Sequence, residues 1–257
     1  MTAADVALIL VAAAAGGALN AVAGGGSFLT LPALIAAGVP AVAANATSAL
    51  ALWPASVAST LAYRKDFDPS RTLAIALSIT SVIGGLAGAL LLLRTSNDAF
   101  LRLLPWLMLI AAVTFTFGGA IAKRLGAHAP AGAEPTRTSI IVACVLQLAI
   151  ATYGGYFGGG MGIMMLAYLA AIGMTNIHAM NGLKSLLAVI INGVAIAAFL
   201  IDRAIAWTPA SIMLAAAIAG GWFGARFARR VPVRVVRAFV MLVGWSMSAY
   251  FFWRAYR

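Results

Sequence analysis

Long runs of apolar residues, each ended by a short polar or glycine-bearing connection, follow one another along almost the whole chain. They fall at about residues 4 to 22, 27 to 38, 41 to 62, 72 to 93, 103 to 122, 138 to 157, 160 to 173, 177 to 201, 208 to 225 and 236 to 253. A run of about 20 apolar residues spans a hydrocarbon core of roughly 30 Å as a helix. Eight runs approach that length, whereas 27 to 38 and 160 to 173 fall short, and each of the two follows a glycine cluster. Backbone inside a bilayer must satisfy its own hydrogen bonds, so every run is expected to be helical. An irregular glycine loop at membrane depth must be buried in protein or line a wet cavity.

The pattern repeats. A shift of about 134 to 136 residues lays Gly24-Gly25-Gly26-Ser27 over Gly158-Gly159-Gly160-Met161, and Asn45-Ala46-Thr47-Ser48 over Asn181-Gly182-Leu183-Lys184. It also lays Gly84-Gly85-Leu86-Ala87-Gly88 over Gly220-Gly221-Trp222-Phe223-Gly224, and Arg94 over Arg230. Each match is cheap in a glycine-rich chain, but their common order and offset are not. The chain therefore divides into a first transmembrane repeat at 1–122, a polar inter-repeat loop at 123–137 and a second transmembrane repeat at 138–257. The loop carries Pro130, Gly132 and Pro135, which break helices.

Composition narrows the class. Of 257 residues 63% are hydrophobic and 9% charged, with a mean hydropathy of +1.02. Soluble domains carry roughly 25% charged residues, so a water-soluble surface is excluded. The net charge of +11 sits in the short connections, which gives it a topological meaning and not a nucleic-acid one. If both short runs cross, the loops Arg64–Arg71, Lys123–Arg137 and Arg226–Arg237 share one side and hold 11 basic residues, against 5 on the other. The positive-inside rule favours that arrangement. It predicts an all-α polytopic membrane protein of two inverted repeats, five plus five helical segments, with short broken helices after the glycine loops. Eight full spans is the alternative. The first 23 residues lack a basic leader segment and are read as a retained first span. Cys144, the single cysteine, is read as packing.

Inverted repeats with interrupted helices are the plan of secondary transporters, whose sites lie near the midplane where helix ends meet the substrate. The candidate binding residues are accordingly Gly25, Gly26, Ser27, Asn45, Thr47, Ser48, Gly159, Gly160, His178, Asn181, Lys184 and Ser185. The two glycine clusters precede short helices whose free N–H groups suit an anion. Gly84, Gly85, Gly88, Gly220, Gly221 and Gly224 read instead as helix-packing positions. Asn and Ser can equally be caps or interhelical partners. Lys184 carries an ammonium into a span at a cost of about 2.5 to 3.5 kcal/mol, and such residues usually face a pathway. His178 stands three residues before Asn181 and can relay a proton, although a surface turn is the simpler reading. Ser56 and Asn192, equivalent under the same shift, either extend the polar path or bond between helices.

All six acidic residues, Asp5, Asp66, Asp68, Asp98, Glu134 and Asp202, lie in connections or at a terminus. No carboxylate is offered at mid-membrane for proton or sodium coupling. No metal-ligand spacing, phosphate-binding loop or nucleophile with a base stands out, so no cofactor is expected. A site with one buried cation and no carboxylate favours a small anion. The expected partners are that anion and the lipid bilayer, not nucleic acid.

These residues resemble the TauE/SafE family of sulfite and organosulfonate exporters. The resemblance rests on Gly24-Gly25-Gly26-Ser27-Phe28-Leu29-Thr30-Leu31-Pro32, on Gly38-Val39-Pro40 with Asn45-Ala46-Thr47-Ser48, and on Tyr63-Arg64. In the second half it rests on Gly158-Gly159-Gly160-Met161-Gly162 and Asn181-Gly182-Leu183-Lys184. Ser27 stands where family members often continue with glycine. The resemblance implies export of sulfite or an organosulfonate from a bacterial cytoplasm through the inner membrane. An anion importer or channel, and a membrane-embedded enzyme or subunit without transport, are the rival readings.

Overall fold

The structure, a computed structural model, describes residues 1–22, 25–63, 70–126, 137–228 and 233–256. Gly24, residues 64–69 with Asp66 and Asp68, residues 127–136 with Glu134, and Arg230 lie outside that set. The described residues form ten helices and no strand: α1 (Ala3–Val22), α2 (Ser27–Ala36), α3 (Ala41–Ala62), α4 (Arg71–Leu93), α5 (Asn97–Gly126), α6 (Arg137–Tyr156), α7 (Met161–Ala171), α8 (Ile177–Ile201), α9 (Trp207–Ala228) and α10 (Val233–Tyr256). Helices α1, α3, α4, α5, α6 and α8 are long and apolar enough to cross a membrane. Along α4, Ile75, Ile79, Val82, Ile83, Leu86 and Leu90 point outward and exposed. A continuous apolar surface of that kind belongs against lipid.

Helix limits depart from the apolar runs where polar residues are as helix-competent as their neighbours. Helix α5 starts six residues before its apolar run, at Asn97, and ends at Gly126. The polar connection expected at 123–137 thus gives 123–126 to α5 and Arg137 to α6. Pro54 lies inside an unbroken α3. Ser70 caps α4 by accepting the Leu73 N–H at 3.2 Å, and Asn176 caps α8 by accepting the His178 N–H at 2.9 Å.

The short helices have 10 and 11 residues, about 15 to 17 Å at 1.5 Å per residue, half a hydrocarbon core. Each folds back on the long helix before it. A Cβ on Gly16 of α1 would come within 2.8 Å of Thr30 Cγ2 on α2. On the other side, Tyr168 of α7 donates its hydroxyl to Gln147 Oε1 of α6 at 2.7 Å. Gln147 in turn donates to Ser81 Oγ on α4 at 2.7 Å, so this buried triad pins α7. The two turns lie beside the middles of α3 and α8: a Cβ on Gly26 would reach Leu52 at 3.1 Å, and one on Gly154 would reach Ile191 at 3.1 Å.

Glycine sets the closest packing. Side chains at Gly88 and Gly155 would run into the backbones of α6 and α4, and at Gly17 and Gly220 into those of α9 and α1. Helix α1 therefore packs on α9 as α6 packs on α4. Two helices pack on their own counterparts under the sequence repeat, α3 on α8 and α5 on α10. Both pairs run antiparallel. On α3 and α8, Trp53 Nε1 donates to the Val189 carbonyl (3.1 Å), Ser59 Oγ meets Ser185 Oγ (3.0 Å), and the Tyr63 ring lies 6.5 Å from that of His178. On α5 and α10, Tyr256 donates its hydroxyl to the Arg102 carbonyl (3.3 Å), and Trp245 Nε1 donates to Thr116 Oγ1 (3.1 Å).

Candidate functional site

A cavity of about 710 Å³ lies between the halves, walled by α3 and α8 and by the two glycine turns. Helix α3 offers it Asn45, Ser48, Ser56 and Ser59 and, at its C-cap, Tyr63, and α8 offers Asn181, Lys184, Ser185, Asn192 and Phe199. Spacings of three, four, seven and eight place each set on one helix face, with Lys184 and Ser185 three and four residues on from Asn181. The cavity reaches the surface where α3 ends and α8 begins, for Ile177 lines it and is 52% exposed. At its far end Phe199 is 1% exposed.

Lys184 is the one cationic residue among the described lining residues, and no Asp or Glu is among them. Its ammonium donates to Asn181 Oδ1 at 2.9 Å, while Asn181 Nδ2 donates to the Ile177 carbonyl at 2.9 Å. The second bond fixes the asparagine so that its oxygen faces the lysine. The lysine stem passes over the first turn of α7, where a Cβ on Gly162 would lie 3.3 Å from Lys184 Cδ. The Met161 and Gly162 amides have no acceptor among the described residues. A cation and the positive end of α7 therefore share one wall. Gly158 and Gly160 shape that turn with φ of 85° and 80°, a region other residues rarely enter.

Of the residues singled out in the sequence, Gly25, Ser27, Asn45, Ser48, Gly160, Asn181, Lys184 and Ser185 line the cavity, as do Ser56 and Asn192. Gly26, Thr47, Gly159 and His178 are not on its wall. Gly26 is pressed against α1, where a Cβ would meet the Gly16 carbonyl carbon at 3.0 Å. Thr47 turns to α9, and its Oγ1 accepts the Ala206 N–H at 3.0 Å. Gly159 lies under the Phe157 ring, with 2.6 Å from its Cβ position to Phe157 Cε1. His178 is exposed on the first turn of α8.

The family described as Sulfite exporter TauE/SafE matches residues 8–251. The chain belongs to the TauE/SafE family. It is similar to the "Probable membrane transporter protein ORF9" of Sinorhizobium sp, with 26% identity over 94% of this chain and 90% of the relative. It is also 26% identical to a "Probable membrane transporter protein" of Haemophilus influenzae, over 90% of this chain and 88% of that one. The same identity holds for "Probable membrane transporter protein YfcA" of Escherichia coli K12, over 91% and 84%. No solved structure matches the chain. This TauE/SafE protein is thus a multi-pass bacterial membrane protein of a transporter family.

Sequence reasoning passed over Asn20, Ser59, Tyr63, Phe157 and Thr175, which also line the cavity of this TauE/SafE chain. For Ser59 and Tyr63 the signal was present, since they continue the face of Asn45, Ser48 and Ser56 at helical spacing. Asn20 had no such signal. Its place on the wall depends on α1 meeting α3, where Asn20 Nδ2 donates to the Leu52 carbonyl at 3.3 Å.

Proposed function

We propose that this protein is a secondary transporter that exports a small anion, sulfite or an organosulfonate, by alternating access between two inverted repeats. The observation that carries the reading is the cavity between the halves, with Lys184 and the start of α7 on one wall and no carboxylate among its described lining residues. An anion there meets a charge-assisted donor and amides that replace its hydration. The uncharged amides and hydroxyls of Asn45, Ser48, Ser185 and Asn192 complete the lining without opposing charge.

The antiparallel packing of α3 on α8 and of α5 on α10 supports inverted repeats, because each helix meets its own counterpart running the opposite way. The folded-back short helices support the same topology. A pair that turns at mid-depth returns the chain to the side it left, which is where two full crossings also leave it. Either way the three basic loops share one side, the cytoplasmic one by the positive-inside rule, whereas eight full spans would move the Arg226–Arg237 loop to the other side. The cavity opens beside Tyr63, at the foot of the Arg64–Arg71 loop, and so faces the cytoplasm.

An interior-negative potential drives an anion outward by about 2.3 kcal/mol per charge per 100 mV, so export proceeds without a coupling carboxylate. Purified protein in liposomes loaded with sulfite or methanesulfonate is expected to release the anion in a saturable manner, faster when the loaded side is made negative. Non-saturating release would favour a channel. Absence of flux for every small anion tried would sink the transport reading.

A further inference from the structure

The two ends of the cavity are held differently, and the difference falls on two residues that the repeat makes equivalent. Asn45 and Asn181 occupy matching places near the starts of α3 and α8, 136 residues apart. Buried Asn45 donates its Nδ2 to the Tyr156 carbonyl at 2.9 Å. That bond ties the start of α3 to the last residue of α6, from one half to the other, towards the closed end. Tyr156 is itself held, with its ring 5.8 Å from that of Phe100 and its hydroxyl donating to Thr95 Oγ1 at 3.3 Å.

The same shift places Asn20, in the last turn of α1, where Tyr156 stands in α6. Asn181 bonds elsewhere: its amide donates to the Ile177 carbonyl and its oxygen accepts from Lys184. The end of the cavity beside it is open. A second contact deepens the asymmetry, since Thr47 accepts the Ala206 N–H whereas its counterpart, Leu183, has no acceptor to offer.

We infer that Asn45 and Asn181 are alternating latches: Asn45 holds the outer end shut in the state seen here, and Asn181 shuts the inner end in the opposite state by bonding the last turn of α1. The inference rests on the transporter reading. A desolvated ammonium keeps a partner, and in the state seen here Asn181 supplies it. An anion that takes over Lys184 frees the asparagine to reach α1 as Asn45 reaches α6. Occupancy and closure of the inner end are then one event. Asn181 acts by positioning, and its latch role needs no contact with the anion.

The test reads accessibility without any substrate. In a Cys144→Ala background, Ala188→Cys places one thiol on the cavity wall. Membrane vesicles of each orientation are labelled with a membrane-impermeant maleimide. The parent is expected to label from the cytoplasmic face alone. Asn45→Ala is expected to raise labelling from the outer face by about threefold to tenfold, the shift that one net hydrogen bond sets, and to lower it from the inner face. Adding Asn181→Ala is expected to give labelling from both faces. Thr47→Val, close to isosteric, should also raise outer labelling and serves if Asn45→Ala does not fold. The inference is overturned if Asn45→Ala and Thr47→Val label as their parent does, or if the double variant labels as Asn45→Ala alone. Failure of sulfite flux would leave a positive labelling result standing, and an unchanged labelling pattern would leave measured flux standing.

Discussion

Lys184→Ala is expected to cut flux at subsaturating anion by about tenfold to a hundredfold while leaving the protein at least as stable as the wild type. The ammonium is the one charged donor among the described lining residues. A hydrogen bond to a charged group contributes about 1.5 to 3 kcal/mol, and 1.4 kcal/mol is a factor of ten. Stability moves the other way. Holding an ammonium in a span costs about 2.5 to 3.5 kcal/mol, and its one hydrogen bond to Asn181 recovers only part of that. Flux into proteoliposomes and thermal unfolding in detergent, measured on the same preparation, separate the two effects. A parallel loss of flux and stability would mean that Lys184 is a structural residue. Equal flux in both proteins would remove it from the site.

Gly88→Leu is expected to abolish accumulation of folded protein. A Cβ at Gly88 would collide with the Thr152 carbonyl and lie 2.7 Å from the Tyr156 nitrogen, so the obstacle is backbone that cannot rotate away. Overpacking a side-chain core costs about 1 to 3 kcal/mol, and here two helices must separate along their length. Loss of that contact also moves Tyr156, whose carbonyl holds Asn45. Gly38→Leu provides the contrast, because nothing lies within 4 Å of its Cβ position. Its φ of 83° makes that change strained but local. Membrane yield and monodispersity on size exclusion should fall far more for Gly88→Leu than for Gly38→Leu.

The helices were largely legible because membrane depth leaves one way to satisfy a backbone, so apolar length translates directly into helix. The glycine clusters were legible as turns for the same reason, and Gly84, Gly85 and Gly88 as packing positions because small residues at helical spacing let helices approach: Gly84 and Gly88 face α6, and Gly85 faces α8. What the sequence left unread is long-range. Which face of α1 looks inward depends on α3, α9 and α2, and no local pattern reports that Asn20 meets Leu52. Thr47 was grouped with Asn45 and Ser48, yet helical rotation of about 100° per residue turns it from Ser48 towards α9. His178 shares the face of Asn181 and Lys184 by spacing, but it lies on the first turn of α8, exposed where the cavity meets the surface. A helical face says where a side chain points, not what stands opposite it.

The central claim, that a small oxyanion binds between Lys184 and the start of α7, is tested most directly by locating a bound anion. Selenite has the shape and charge of sulfite and scatters anomalously at the selenium edge. Crystals of the purified protein grown with selenite should give an anomalous peak within hydrogen-bond reach of Lys184 Nζ and the Met161 and Gly162 amides, and Lys184→Ala crystals should lack it. A peak elsewhere in the bundle, or an undiminished peak in Lys184→Ala, would contradict the account.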